Sequence, residues 1–204
     1  MASFADTLDK QTTAIVFIEY QHEFTTEGGK LHSAVKPCME HCNTLKNSVE
    51  LLQIARQKGI KVIHAPITFS DDYRELRGNF GILANVKAGN CFLKSAWGGE
   101  ICKEMMPLAH EIIVQGKNGL CAFASTNLDF ILRQNSINTL CLCGYLTNCC
   151  VESTMRTAYE KGYNVITVTD CTAATSVEEH TAACSYTFPM FSLPMSLAQL
   201  SEKL

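Results

Sequence analysis

Short apolar runs alternate along the chain with longer stretches in which apolar positions recur every three to four residues. That alternation predicts a largely parallel sheet with helices on both faces. The runs are Ala14–Glu19 (AIVFIE), Lys61–Pro66 (KVIHAP), Glu111–Gln115 (EIIVQ), Thr139–Cys143, Asn164–Thr169 (NVITVT) and Phe188–Phe191. Residues 34–58 read as one long helix, with Leu45, Val49, Leu52, Ile54 and Ala55 on its buried stripe and Gly59 as its stop. Shorter helices are predicted over Thr126–Arg133, Val151–Lys161 and Val177–Tyr186. Residues 68–107 break the rhythm, with glycines at 78, 81, 89, 98 and 99 and the lone Trp97. A connection of that length more often serves function than merely joins elements. With no repeat, low-complexity tract or linker, residues 1–204 are read as one three-layer α/β/α domain with a central, mainly parallel six-stranded sheet.

The composition narrows the field. A chain of 204 residues with 47% hydrophobic positions can bury a sizeable core without a metal or disulfide scaffold. Its net charge of −3, with lysines and arginines scattered, gives no electrostatic reason to bind nucleic acid. No segment approaches the ~20 apolar residues that span a bilayer, so no membrane association is expected. There are eleven cysteines, an odd number, and the N-terminal MASFADTLDKQTT has no apolar stretch of a secretory signal. A reducing, cytoplasmic setting with free thiols is the expectation.

In an open parallel sheet, ligands bind beyond the carboxyl ends of the strands. The segments leaving the first four strands there supply a carboxylate (Glu19), an ammonium (Lys117) and a thiol at a helix start (Cys150). Free amides and the positive end of a helix dipole favour an anion, so a thiol there is expected to ionise more readily than the usual ~8.5. A neighbouring lysine adds to that effect, a carboxylate can carry the thiol proton, and the amides can hold an oxyanion.

Three motifs in this order resemble those of the isochorismatase-like cysteine hydrolases, the superfamily of nicotinamidase, N-carbamoylsarcosine amidohydrolase, ureidoacrylate and biuret hydrolases and isochorismatase itself. AIVFIEYQHEF is similar to the segment carrying the general base, IVQGKNGLCAF to that carrying the catalytic lysine, and CGYLTNCCVESTMRTA to the nucleophile segment. AWGGEI and DCTAA with His180 add to the likeness, which covers about residues 12–185. The resemblance implies Cys150 as nucleophile, Lys117 as the cation that stabilises thiolate and oxyanion, and Glu19 at the base position, where the family ordinarily has Asp. It also implies a non-proline cis peptide at Leu146–Thr147, aiming amides near Thr147 and Cys150 at the oxyanion. The activity implied is hydrolysis of a C–N bond in a small amide, ureide or carbamoyl compound through a thioester, by a homo-oligomer, dimer or higher, with no cofactor. An isochorismatase-type vinyl-ether hydrolase and a non-catalytic binding or scaffold protein are the alternative readings.

Nicotinamidases carry a metal site of an Asp-x-His pair and a further His after the second strand; here HAPITFSDDYREL offers only Asp71 and Asp72 after His64. No metal is therefore expected. Cys38 and Cys42, four apart on the long helix, are read as packing because no second ligand pair lies nearby in sequence. Cys141 and Cys143 are read as core, Cys149 as a small neighbour of the nucleophile, and His64 and His180 as structural. Phe24, Trp97, Leu120, Phe123 and Tyr145 are the candidate pocket walls.

Overall fold

In the computed structural model, which describes residues 7–204, strand β1 (Thr13–Ile18) is buried at all six positions. Its two faces feed two different cores. Ile15 and Phe17 point into one, while Ala14, Val16 and Ile18 point into the other, as period-2 alternation in a sheet covered on both sides requires. Around β1 lie β2 (Lys61–Ala65), β3 (Ile112–Ile113), β4 (Thr139–Tyr145), β5 (Asn164–Ala173) and β6 (Leu193–Met195), in the order β3-β2-β1-β4-β5-β6. Every pairing is parallel.

The helices in chain order are α1 (His22–Thr25), α2 (His32–His41), α3 (Thr44–Lys58), α4 (Gly81–Ala88), α5 (Leu128–Gln134), α6 (Glu152–Glu160), α7 (Val177–Ala182), α8 (Phe188–Phe191) and α9 (Leu197–Lys203). Helices α2, α3 and α9 cover one face, with Val35, Leu51, Leu52, Ala55, Leu197 and Leu200 in its core. Helices α5, α6 and α8 cover the other through Leu128, Leu132, Met155, Ala158 and Phe188. Each fully buried leucine contributes about 1.5–3 kcal/mol to holding these layers together. Among the described residues no helix is long and apolar enough to cross a membrane.

Two elements differ from the sequence expectation. The stretch 34–58 is two helices, because Asn43 takes a left-handed conformation (φ 52°) that asparagine tolerates better than most residues and that a continuous helix forbids. The run Phe188–Phe191 is a helical turn, with Pro189 supplying a pre-set first-turn φ, and the sixth strand follows it at Leu193–Met195. Four apolar residues cannot by periodicity alone distinguish a strand from a turn of helix.

Candidate active site

The strand order reverses direction between β1 and β4, which opens a crevice at their carboxyl ends. Glu19 is the first residue after β1, and Cys150 follows β4 within the wide helical turn Thr147–Val151 that leads into α6. Lys117 arrives from the far side, after β3. Two glycines make this convergence possible. Gly144 has φ 127°, and a Cβ there would stand 1.9 Å from the Ile18 carbonyl oxygen, so only glycine lets β4 close on β1 beside Glu19. Gly116 has φ 84°, and a Cβ would stand 2.6 Å from the Ser125 carbonyl oxygen. The next residue, Lys117, turns inward, while its carbonyl accepts from the Thr68 amide at 3.1 Å.

Lys117 Nζ donates to Glu19 Oε1 and, at 2.8 Å, to the Gly119 carbonyl. Glu19 is 2% exposed, Lys117 1% and Cys150 4%. Burial by itself would push the Lys117 ammonium down, but the Glu19 carboxylate and the Cys150 sulfur hold it above its ordinary range, and it stays charged. Glu19 has φ 58°, a left-handed conformation rare for a residue with a side chain, held by its own amide donating to Ala65 O at 3.2 Å.

The thiol departs from the expectation of easy ionisation. Contact with Cys149, burial and the Glu19 carboxylate together raise Cys150 well above the ordinary thiol range, and Lys117 offsets this only in part. The hydrogen bond with Cys149 and the loss of water around the sulfur both favour the neutral thiol, and the carboxylate adds repulsion against a thiolate. The resting pair is therefore a thiol next to a carboxylate, the arrangement in which the proton passes as the sulfur attacks.

Glu19 and Cys150 line a cavity of about 260 Å³ whose other walls are mostly apolar. That volume suits a small molecule, lying below the ~300–1,000 Å³ of sites for drug-sized ligands. Phe24 and Leu120 line it as expected, and so does Leu146. Trp97 does not; it is 46% exposed and stacks on His22 at 4.3 Å between ring centroids. Phe123 is buried in the α5–α6 core against Tyr163. Tyr145 lies one layer back, stacked behind Phe24 at 5.3 Å. Their places are taken by Val35 from α2 and by Ile82, Leu83, Asn85 and Val86 from α4, within the irregular segment. Lys117 stands behind Glu19 and off the cavity wall. The cis peptide lies one residue earlier than expected, at Tyr145–Leu146: β4 extends to Tyr145, and Leu146 is the extended residue from which the helical turn at Thr147 begins.

Two buried polar residues that sequence reasoning passed over frame the site. Gln21 Nε2 donates to Ile67 O (2.8 Å) and Gly99 O (2.7 Å), while its Oε1 accepts from the Ile67 amide (2.9 Å), tying the exits of β1 and β2 to the irregular segment. Glu23 accepts from the amides of Lys30 (2.7 Å) and Phe92 (3.3 Å). Their position in the motif YQHEF was the available signal.

The geometry can be set beside that of known proteins. The chain is 30% identical over 178 residues to ureidoacrylate amidohydrolase RutB from Rhizobium rhizogenes, covering 81% of this chain and 72% of that one. Its fold matches a cysteine hydrolase from Pseudomonas syringae with a TM-score of 0.86 at 22% identity, over 100% of this chain and 98% of that one. It also matches N-carbamoylsarcosine amidase from Thermoplasma acidophilum at 0.75 and 24% identity, over 91% and 96% of the two chains. The isochorismatase domain model matches residues 13–199, a span that runs from the first residue of β1 into α9 and holds Glu19, Lys117 and Cys150 together. With nearly its whole length so matched, the chain belongs to the isochorismatase family.

Proposed function

We propose that this protein is a cysteine hydrolase that cleaves a C–N bond of a small amide, ureide or carbamoyl compound. The observation that carries this reading is the buried Lys117–Glu19 ion pair meeting the Cys150 thiol at one end of a small, mostly apolar cavity. Similarity to a ureidoacrylate amidohydrolase supports the substrate class.

In the proposed cycle the Cys150 S–H proton passes to the Glu19 carboxylate as the sulfur attacks the substrate carbonyl carbon, and the carbonyl electron pair moves to oxygen. Amides of the first turn after β4, at Thr147 and Cys150, receive that oxyanion. Collapse breaks the C–N bond while Glu19 returns the proton to the departing nitrogen, leaving a thioester on Cys150. Water then gives a proton to Glu19 and attacks the thioester; the C–S bond breaks and the proton returns to sulfur. Lys117 acts from behind Glu19, off the cavity wall, rather than on the oxyanion. It holds the Glu19 carboxylate in place through their ion pair and lowers the cost of negative charge on Cys150.

The test is ammonia release across a panel of ureides, carbamoyl amino acids, simple amides and nicotinamide, with wild type, Cys150→Ala and Cys149→Ala, each with and without chelator. Turnover of at least one ureide or amide that Cys150→Ala abolishes and Cys149→Ala retains supports the reading. Equal turnover in Cys150→Ala and wild type overturns it.

A further inference from the structure

Cys38 and Cys42 stand one helical turn apart at the end of α2, and His180 and Cys184 repeat that spacing in α7 and the helical turn that follows it. α2 and α7 pack against each other. Cys38 Sγ, Cys42 Sγ and a ring nitrogen of His180 all lie within 4.8 Å of one another. Cys184 Sγ is 3.7 Å from His180 Nε2. Two donors bound at about 2.0–2.3 Å to one tetrahedral zinc stand roughly 3.3–3.8 Å apart, so small side-chain rotations close Cys38, Cys42 and His180 around an ion. Cys184, beside the His180 ring, is the nearest further thiol on that helical segment.

The imidazole is also oriented for that role. Thr172 Oγ1 donates to the Thr169 carbonyl at 3.2 Å, and Thr147 Oγ1 donates to Thr172 Oγ1 at 3.1 Å. Each hydroxyl has one proton and the carbonyl can only accept, so the chain runs one way. Thr147 Oγ1 is left to accept from His180 Nδ1–H at 2.9 Å. A neutral ring with its proton on Nδ1 presents the Nε2 lone pair to a metal, and such an outer partner is what fixes a ligating histidine.

We propose that Cys38, Cys42 and His180, with Cys184 as the fourth ligand, form a zinc site that ties α2 to α7. Three thiolates and one imidazole make a closed, structural set with no open position for substrate. The site is distinct from the Cys150 cavity, yet its histidine holds Thr147, three residues before Cys150, so occupancy steadies the nucleophile turn. The pair looked isolated in sequence because its partners lie about 140 residues further along.

The test uses the full chain, reduced and stripped with chelator, then titrated with cobalt(II) and afterwards zinc(II). One equivalent of cobalt with a thiolate charge-transfer band and the strong visible absorption of a tetrahedral centre, bleached by one equivalent of zinc, is expected. Cys38→Ser and His180→Ala should each weaken zinc binding by more than the ~10–100-fold typical of losing an outer partner. Cys42→Ser, at a half-buried position, guards against misfolding as the cause, and Cys121→Ser, in the opposite core, should bind as wild type does. In the wild type, zinc should protect Cys38, Cys42 and Cys184 from iodoacetamide and leave Cys121 unprotected. Absence of the tetrahedral spectrum, its survival in folded Cys42→Ser, or formation of a Cys38–Cys42 disulfide with no metal bound would overturn the proposal.

Discussion

Lys117 Nζ donates to Glu19 Oε1 across 98 residues of sequence, with both side chains all but sealed from water. Removing one member strands the other's charge. Lys117→Met is expected to cost about 3–5 kcal/mol of stability, the usual penalty for half of a buried ion pair, along with the activity. The double variant Lys117→Met/Glu19→Gln should recover a large part of the stability and none of the activity. Urea unfolding of the two single variants and the double variant measures this, and purely additive losses would refute the coupling.

The Glu19 carboxylate is one cause of the raised Cys150 thiol, so neutralising it should make the sulfur easier to ionise while removing the base. Glu19→Gln is expected to alkylate faster than wild type at Cys150 at neutral pH and yet to hydrolyse no substrate. Glu19→Asp should retain a carboxylate and some turnover. Mass-mapped iodoacetamide kinetics beside an ammonia assay separate the two effects; slower alkylation in Glu19→Gln contradicts the electrostatic assignment.

Gly144 and Gly59 both have positive φ, but only Gly144 faces a close backbone neighbour. Gly59→Ala is expected to cost about 1 kcal/mol, from the left-handed conformation alone, and to leave activity intact. Gly144→Ala should cost about 2 kcal/mol or more and abolish activity, because β4 must move away from Ile18 and Glu19. Similar thermal midpoints and turnover for the two variants would show that the β1–β4 approach is not critical.

Acid sensitivity should come in part from the β2–β3 edge of the sheet, where Glu111 and His64 meet. Burial would raise the Glu111 carboxyl, but hydrogen bonds from Arg56 Nε (2.7 Å), the Leu108 amide (3.0 Å) and His64 Nε2 (3.0 Å) hold it at about 2. Burial lowers His64 from its ordinary 6.5. In both cases the unfolded chain takes up the proton first, so stability falls as pH falls. The His64 part begins to be lost below about 6.5, and the Glu111 part between its ordinary 4.5 and about 2. Glu111→Gln should be less stable than wild type at neutral pH and lose less on acidification below pH 4.5. Urea midpoints across that range decide it, and parallel curves for the two proteins would exclude the contribution.

Much of the layered fold was legible in local pattern. Ala14–Ile18 is apolar without interruption because both sheet faces are covered, and Gly59 ends α3 because its left-handed conformation is cheapest for glycine. The break at Asn43 was not legible, since the apolar stripe continues in sequence on either side of a single left-handed residue. Among the site residues, Glu19, Lys117 and Cys150 were found through motif and position at strand ends. The walls were harder. Trp97 and Phe123 have the chemistry of pocket residues but face elsewhere, while Ile82, Leu83 and Val86 sit in a segment whose path no periodicity predicts.

By itself the sequence determined five of the six strands, the sheet class and the family motifs, because those follow from periodicity and from short spacings that survive in one dimension. Only the tertiary structure decided that Lys117 stands behind Glu19, that Cys150 is buried beside that carboxylate, and that Cys38 and Cys42 meet His180. Each of these is a contact between distant segments in a place from which water is excluded. There, a few ångströms set the strength of an electrostatic interaction, and no spacing along the chain encodes them.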